Sequence, residues 1–99
     1  MTIRPENIMI EHNAVAERFE AKLDNQLAVL EYQRQDGTLF FTHTEVPPKF
    51  RGQGIADELA KQALDYARTH QLTVVPLCSF MATYIRRHPE YKDLVQNLY

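Results

Sequence analysis

One cysteine, no tryptophan, three glycines and a nearly balanced charge set the first limits on this 99-residue chain. With Cys78 alone there can be no internal disulfide and no cluster of thiolate metal ligands, which suits a reducing, cytoplasmic setting. The histidines His12, His43, His70 and His88 lie far apart and include no i, i+4 pair, so no metal site is expected. A formal net charge of -2 gives no chain-wide basic field, and nucleic acid is not an expected partner. No apolar run approaches the roughly 18 residues of a membrane span, and the start has no signal-peptide core. A membrane partner is not expected either.

What is present is enough for one core. The hydrophobic share is 44 %, ordinary for a globular chain, and residues 1–99 read as a single domain. Residues 1–13 are weakly patterned, with Pro5 speaking against a regular element, and form either a lead-in or a short added strand. Alternation predicts a strand over Ala14–Lys22, with Val15, Glu17, Phe19 and Ala21 on one face. Asp24-Asn25 is a turn signal, and Leu27–Gln35 follows as a strand with Ala28, Leu30 and Tyr32 sharing a face. Asp36-Gly37 reads as a hairpin turn in which the glycine takes the positive φ. Thr38–Val46 is the next strand, so three consecutive strands form an antiparallel meander. Pro47-Pro48 ends the pairing, since neither residue can donate to a ladder.

A helix is expected from Gly52–Gly54 to Thr69, with Ile55, Leu59, Ala63, Tyr66 and Ala67 at helical spacing. Leu72–Val75 is a short β-branched run of the kind buried in a parallel sheet. Strand, helix and strand make a βαβ unit, which sets 72–75 parallel to 38–46. Ser79 is placed to cap a second helix bearing Phe80, Tyr84 and Ile85, which His88-Pro89 ends. Glu90–Asn97 adds a last helical turn or two. The fold class is α+β, with an α/β-like second half.

The stretch His43–Ala56 gathers the chemistry. It leads from a strand end through a stiff Pro-Pro turn into the first turn of a helix. The first amides of a helix lack intrahelical acceptors, and the helix dipole makes that end positive. Gly52 and Gly54 remove side chains that would keep a ligand off those amides, and Arg51 adds a fork-shaped cation. The sum is an anion site suited to a phosphate or diphosphate. The Rossmann fingerprint needs a third glycine, and a P-loop needs Gly-Lys-Ser/Thr where Gly54 is followed by Ile55, so neither fits. Val46 and Cys78 both fall at the carboxyl ends of the two parallel strands, where open α/β sheets bind their ligands.

Val46-Pro47-Pro48-Lys49-Phe50-Arg51-Gly52-Gln53-Gly54-Ile55-Ala56 resembles the acetyl-CoA motif of GNAT (GCN5-related) N-acetyltransferases. That motif is Arg/Gln-x-x-Gly-x-Gly/Ala, matched here by Arg51, Gly54 and Ala56. With the His43–Pro47 lead-in and the lone Cys78 after the next strand, residues 14–92 resemble short, stand-alone Yjdj-type GNAT-like proteins. The resemblance implies a minimal GNAT fold and acetyl-CoA as the cofactor. It assigns the diphosphate to the helix-start residues Arg51, Gly52, Gln53, Gly54, Ile55 and Ala56, and the pantetheine arm to the strand-end backbone at Val46. It also sets Tyr84 where GNAT enzymes carry a proton donor to the leaving thiolate. Full-length GNAT enzymes continue with a further hairpin that walls the acceptor site, and this sequence ends before one.

Three side chains are therefore candidates for chemistry. Glu45 reads as a base for an attacking amine or as a solvated carboxylate, and His43 as a packing or hydrogen-bonding neighbour. Cys78 reads as an acetyl acceptor, as an acetyl contact, or as a small buried apolar residue. Tyr84 reads as the thiolate donor or as a core tyrosine. The corresponding functions are acetyl transfer to an unidentified small-molecule or peptide amine, acyl-CoA binding or sensing with little turnover, and self-acetylation at Cys78. A monomer or a weak homodimer through an exposed sheet edge is expected.

Overall fold

The computed structural model describes residues 8–95. Among these residues the sheet has five strands in sequence order: β1 (Ile10–Asn13), β2 (Arg18–Leu23), β3 (Gln26–Gln35), β4 (Thr38–Glu45) and β5 (Thr73–Pro76). The first three pairings are antiparallel and the β4–β5 pairing is parallel. Helix α1 (Ile55–Thr69) makes the crossover, helix α2 (Ser79–Arg87) follows β5, and 3-10 turns occupy Pro48–Phe50 and Pro89–Leu94. This is the α+β meander-plus-βαβ arrangement that the hydrophobic pattern predicts.

The differences are local and physical. Of the expected lead-in over residues 1–13, Ile10–Asn13 form a short strand, β1, and residues 1–7, with Pro5, lie outside the described residues. The expected strand over 14–22 begins only at Arg18, because residues 14–17 turn the chain back. The Asn13 side chain accepts the Ala16 amide at 3.0 Å, and Glu17 takes a left-handed φ of 56°. Val15, in phase with the core positions of β2, sits on this turn and is 99 % exposed. In the β3–β4 hairpin the left-handed residue is Asp36, with φ 53°, rather than Gly37; aspartate tolerates that region better than most side chains. Cys78, not Ser79, holds the cap position of α2, in extended conformation and with no side-chain capping bond. The last expected helical segment is the 3-10 turn Pro89–Leu94, and Gln96 and Asn97 lie outside the described residues.

One face of the sheet makes the core. Phe19, Ala21, Leu23, Ala28, Leu30, Tyr32, Leu39, Phe41 and Val74 are buried with Ile55, Leu59, Ala60, Ala63, Leu64 and Ala67 of α1. Phe50, Leu72, Met81, Tyr84 and Ile85, with Tyr91 and Leu94, complete the same cluster. Arg68 fastens the final 3-10 turn to the end of α1, donating to both Asp93 oxygens at 2.9 and 3.0 Å and to the Glu90 carbonyl at 2.6 Å.

Candidate functional site

The site begins with an interruption in β4. Glu31 pairs with His43 and Tyr32 pairs with Phe41, which leaves Thr42 as an extra residue in the ladder, a β-bulge. The bulge resets which way the following side chains point. Simple alternation would set Phe41, His43 and Glu45 on one face. Instead Phe41 is fully buried in the core, while His43 and Glu45 have side chains 54 % and 59 % exposed. Glu45 pairs with Val29 and His43 with Glu31, on the sheet face opposite α1. Thr44 pairs with the buried Leu30 and so faces the core side.

Beyond the bulge the parallel strands part. The β4–β5 ladder runs from Thr38–Thr73 to Phe41–Pro76 and stops there. The amides of Leu77 and Cys78 then both donate to the Phe41 carbonyl, at 2.9 and 3.1 Å. Those two bonds turn the chain away from β4 and into α2. Residues 43–46 thus keep a backbone edge toward β5 with no β5 ladder on it, a place where an extended, amide-bearing chain can add as a strand. Thr44 Oγ1 and Cys78 Sγ approach to 3.6 Å across this gap.

Immediately after the gap lies the anion cradle. A cavity of about 360 Å³ is lined by Val46, Phe50, Arg51, Gly52, Gly54, Ile55, Ala56 and Asp57. Gly54 precedes α1 in a left-handed conformation, φ 82°, and its carbonyl accepts the Glu58 amide at 3.1 Å. The i→i−4 pattern therefore leaves the amides of Gly54, Ile55, Ala56 and Asp57 without intrahelical acceptors, at the positive end of a 15-residue helix. Gly52 is also left-handed, φ 78°, so both glycines are required by the backbone as well as by access. Among the described residues Arg51 is the one cation lining the cavity, and its Nε donates to the Val46 carbonyl at 3.0 Å. Lys49 points elsewhere, toward Asp24 and the Phe50 ring.

Of the expected cofactor-binding residues, Val46, Arg51, Gly52, Gly54, Ile55 and Ala56 converge on this cavity, and Gln53 is not among the residues lining it. The candidate chemical groups are distributed around the gap. Cys78 is half-buried against Thr44, and Glu45 accepts from or pairs with His43 Nε2 at 3.1 Å on the open face. Tyr84 is in the core, its ring stacked on His88 at 3.9 Å between Phe80 and Tyr91. Burial, with Asp57 and other nearby carboxylates adding to it, pushes its phenol up to about 12. Such a hydroxyl keeps its proton and serves as a hydrogen-bond donor more readily than as an acid. Thr44, beside Cys78, and Phe50 and Asp57, which line the cavity, are not among the expected site residues. Thr44 could have been found as the residue two before Val46, on the same face of an extended chain facing the carboxyl end of the next strand, whereas the bulge at Thr42 has no local sequence signal. Among the described residues no three metal-ligating side chains gather, and no helix is long and apolar enough to cross a membrane.

A meander whose last strand bulges and parts from its parallel neighbour, beside a glycine-lined helix start, defines a GNAT-type fold. The chain belongs to the GCN5-related N-acetyltransferase family, whose sequence profile matches residues 18–94. It is 33 % identical over 96 residues to Protein NATD1 of Xenopus tropicalis, covering 91 % of this chain and 87 % of that protein. Protein NATD1 of Homo sapiens is 34 % identical over 94 residues, covering 90 % and 83 %. The solution structure of a GCN5-like protein from Staphylococcus aureus aligns with a TM-score of 0.73 at 27 % identity, across 94 % of this chain and 92 % of that one.

Proposed function

We propose that this protein binds acetyl-CoA at the gap and cradle and transfers the acetyl group to an amine. The observation that carries the reading is the juxtaposition of an unladdered strand edge ending at Val46 with four free-ended helix amides and Arg51. An amide-rich arm joined to a diphosphate has the chemistry to match both halves. Acetyl-CoA supplies an activated thioester. The amides of Gly54, Ile55, Ala56 and Asp57 and the Arg51 guanidinium hold the diphosphate, and the backbone at residues 45–46 orients the arm. Glu45, solvent-accessible and steadied by His43, takes the proton that an attacking ammonium must lose. The open sheet face on which Glu45 stands is where the amine approaches.

Calorimetry with acetyl-CoA tests the binding half. Ala56→Glu, on an ordinary helical position lining the cavity, adds bulk and a negative charge at the helix start and should abolish binding while circular dichroism shows the fold retained. Unchanged affinity would remove the basis of the reading. Thiol release from acetyl-CoA across an amine panel tests the transfer half, with Glu45→Gln expected to lower kcat at least about tenfold at unchanged acetyl-CoA affinity.

A second reading, acetylation of the protein itself, is favoured by the position of Cys78 Sγ in the gap. There the deprotonated thiol would attack the thioester carbonyl carbon, its bond to the CoA sulfur would break, and CoA thiolate would leave. An added acetyl mass present in the wild type and absent from Cys78→Ala supports it. The same mass on both excludes that cysteine.

A further inference from the structure

The hydrogen bond from Arg51 Nε to the Val46 carbonyl joins the two halves of the site. Arg51 follows the 3-10 turn in extended conformation, φ -68° and ψ 153°, and its own amide bonds back to the Pro48 carbonyl at 3.3 Å. The next residue, Gly52, is left-handed. The side chain is thereby returned toward the end of β4, so that Arg51, the only cation among the described residues lining the cavity, contacts the carbonyl of Val46, the residue that follows the strand. No carboxylate among the described residues holds this guanidinium in an ion pair; the salt bridges formed are those of Arg18, His43, Lys49, Lys61 and Arg68.

We infer that Arg51 is a selectivity latch that admits a pantetheine arm to Val46 only when a diphosphate comes with it. The inference rests on the acetyl-CoA reading and specifies which donors the site accepts. A carbonyl oxygen has two lone pairs, but a planar guanidinium within hydrogen-bond range covers the approach by which an extended chain adds to the strand. A diphosphate on the helix amides offers the same guanidinium a doubly charged, fork-matching partner, which outcompetes a neutral carbonyl. Arg51 then turns from the oxygen to the phosphates, and the strand end opens. Nucleotide-borne thioesters are selected in this way, and a pantetheine arm without its phosphates meets a closed edge.

The test uses two probes, CoA and pantetheine, titrated by NMR into the full chain and into Arg51→Ala. Arg51 is exposed and outside the core, so the variant should fold, and an unchanged thermal midpoint checks this. The latch predicts effects of opposite sign. In Arg51→Ala, CoA should bind about tenfold more weakly, having lost a phosphate partner, whereas pantetheine should bind at least about threefold more tightly. In the wild type, adding inorganic pyrophosphate should shift the Arg51 Nε–H resonance away from its carbonyl-bonded position. An arginine that only contacts phosphate would weaken CoA and leave pantetheine unchanged, and that result overturns the latch, as does pantetheine that binds neither protein. If CoA itself fails to bind the wild type, it is the acetyl-CoA reading that falls, and the latch with it.

Discussion

Thr44 Oγ1 lies 3.6 Å from Cys78 Sγ, on opposite sides of the gap that opens where the β4–β5 ladder ends. The width of this gap, and not the thiol, is what a ligand arm would use. Cys78→Ala should therefore keep acetyl-CoA affinity within about threefold, while Cys78→Leu fills the opening and should weaken it about tenfold, roughly 1.4 kcal/mol. Calorimetry on both variants checks the contrast, and equal losses would show that the thiol itself is needed.

Gly52 separates conformational cost from steric cost. A Cβ built there meets nothing within 4 Å, yet the backbone φ is 78°. Gly52→Ala should destabilise the chain by about 1 kcal/mol through the left-handed backbone alone. Gly52→Asn should recover much of that, because asparagine visits the same region more readily. Urea midpoints measure both, and a neutral alanine variant would show that the loop relaxes freely.

Tyr91 donates from its hydroxyl to Asp65 at 2.7 Å, and Lys61 donates to the other oxygen at 3.0 Å. Burial opposes ionisation of Asp65, but the bonds from Tyr91 and Lys61 outweigh it and hold the carboxyl below its usual range. A depressed carboxyl contributes stability at pH values above about 4, and that contribution is lost as pH falls through the folded-state value. Tyr91→Phe should cost about 1 kcal/mol at neutral pH, a low figure for a charged acceptor because Asp65 is nearly half exposed. It should also flatten the loss of stability on acidification, which denaturation series at neutral and acid pH would reveal.

His12 carries the opposite sign. Its ring stacks on Phe19 at 4.2 Å, meets Tyr66 edge-on at 4.4 Å, and its Nε2 lies 2.6 Å from the Tyr32 hydroxyl. Burial, then the charges of His70 and Arg34, lowers its pKa. The unfolded chain, with an imidazole near the usual value of about 6.5, binds the proton more readily, so stability should fall as pH drops below that value. His12→Phe keeps the stack and removes the titration. Its unfolding free energy should vary less between about pH 7 and 5 than that of the wild type, and an equal slope would place the titration elsewhere.

Much of the fold is legible from local pattern. The alternation of Ala28, Leu30 and Tyr32, the Pro47-Pro48 stop and the apolar stripe of Ile55, Leu59 and Ala63 each identify an element because side-chain period and backbone period coincide. The cradle is legible for the same kind of reason. Gly52 and Gly54 are needed by their own φ values, and a helix start exposes amides whatever surrounds it. Arg51, Gly54 and Ala56 carry the family pattern within six consecutive residues.

Other features depend on contacts between distant segments. The strand boundary near Arg18 is not visible in the pattern, because Val15 keeps the period of Phe19 and Ala21 while the Asn13 side chain and the left-handed Glu17 turn the chain first. The bulge at Thr42 is set by the register with β3, and it alone decides that Phe41 enters the core while His43 and Glu45 face outward. The gap at Cys78 needs β5 to stop at Pro76 and two amides to converge on the Phe41 carbonyl. A local period says which side chains share a face, as it does for His43 and Glu45. Which face that is, and where two strands part, is decided by pairing across the sheet.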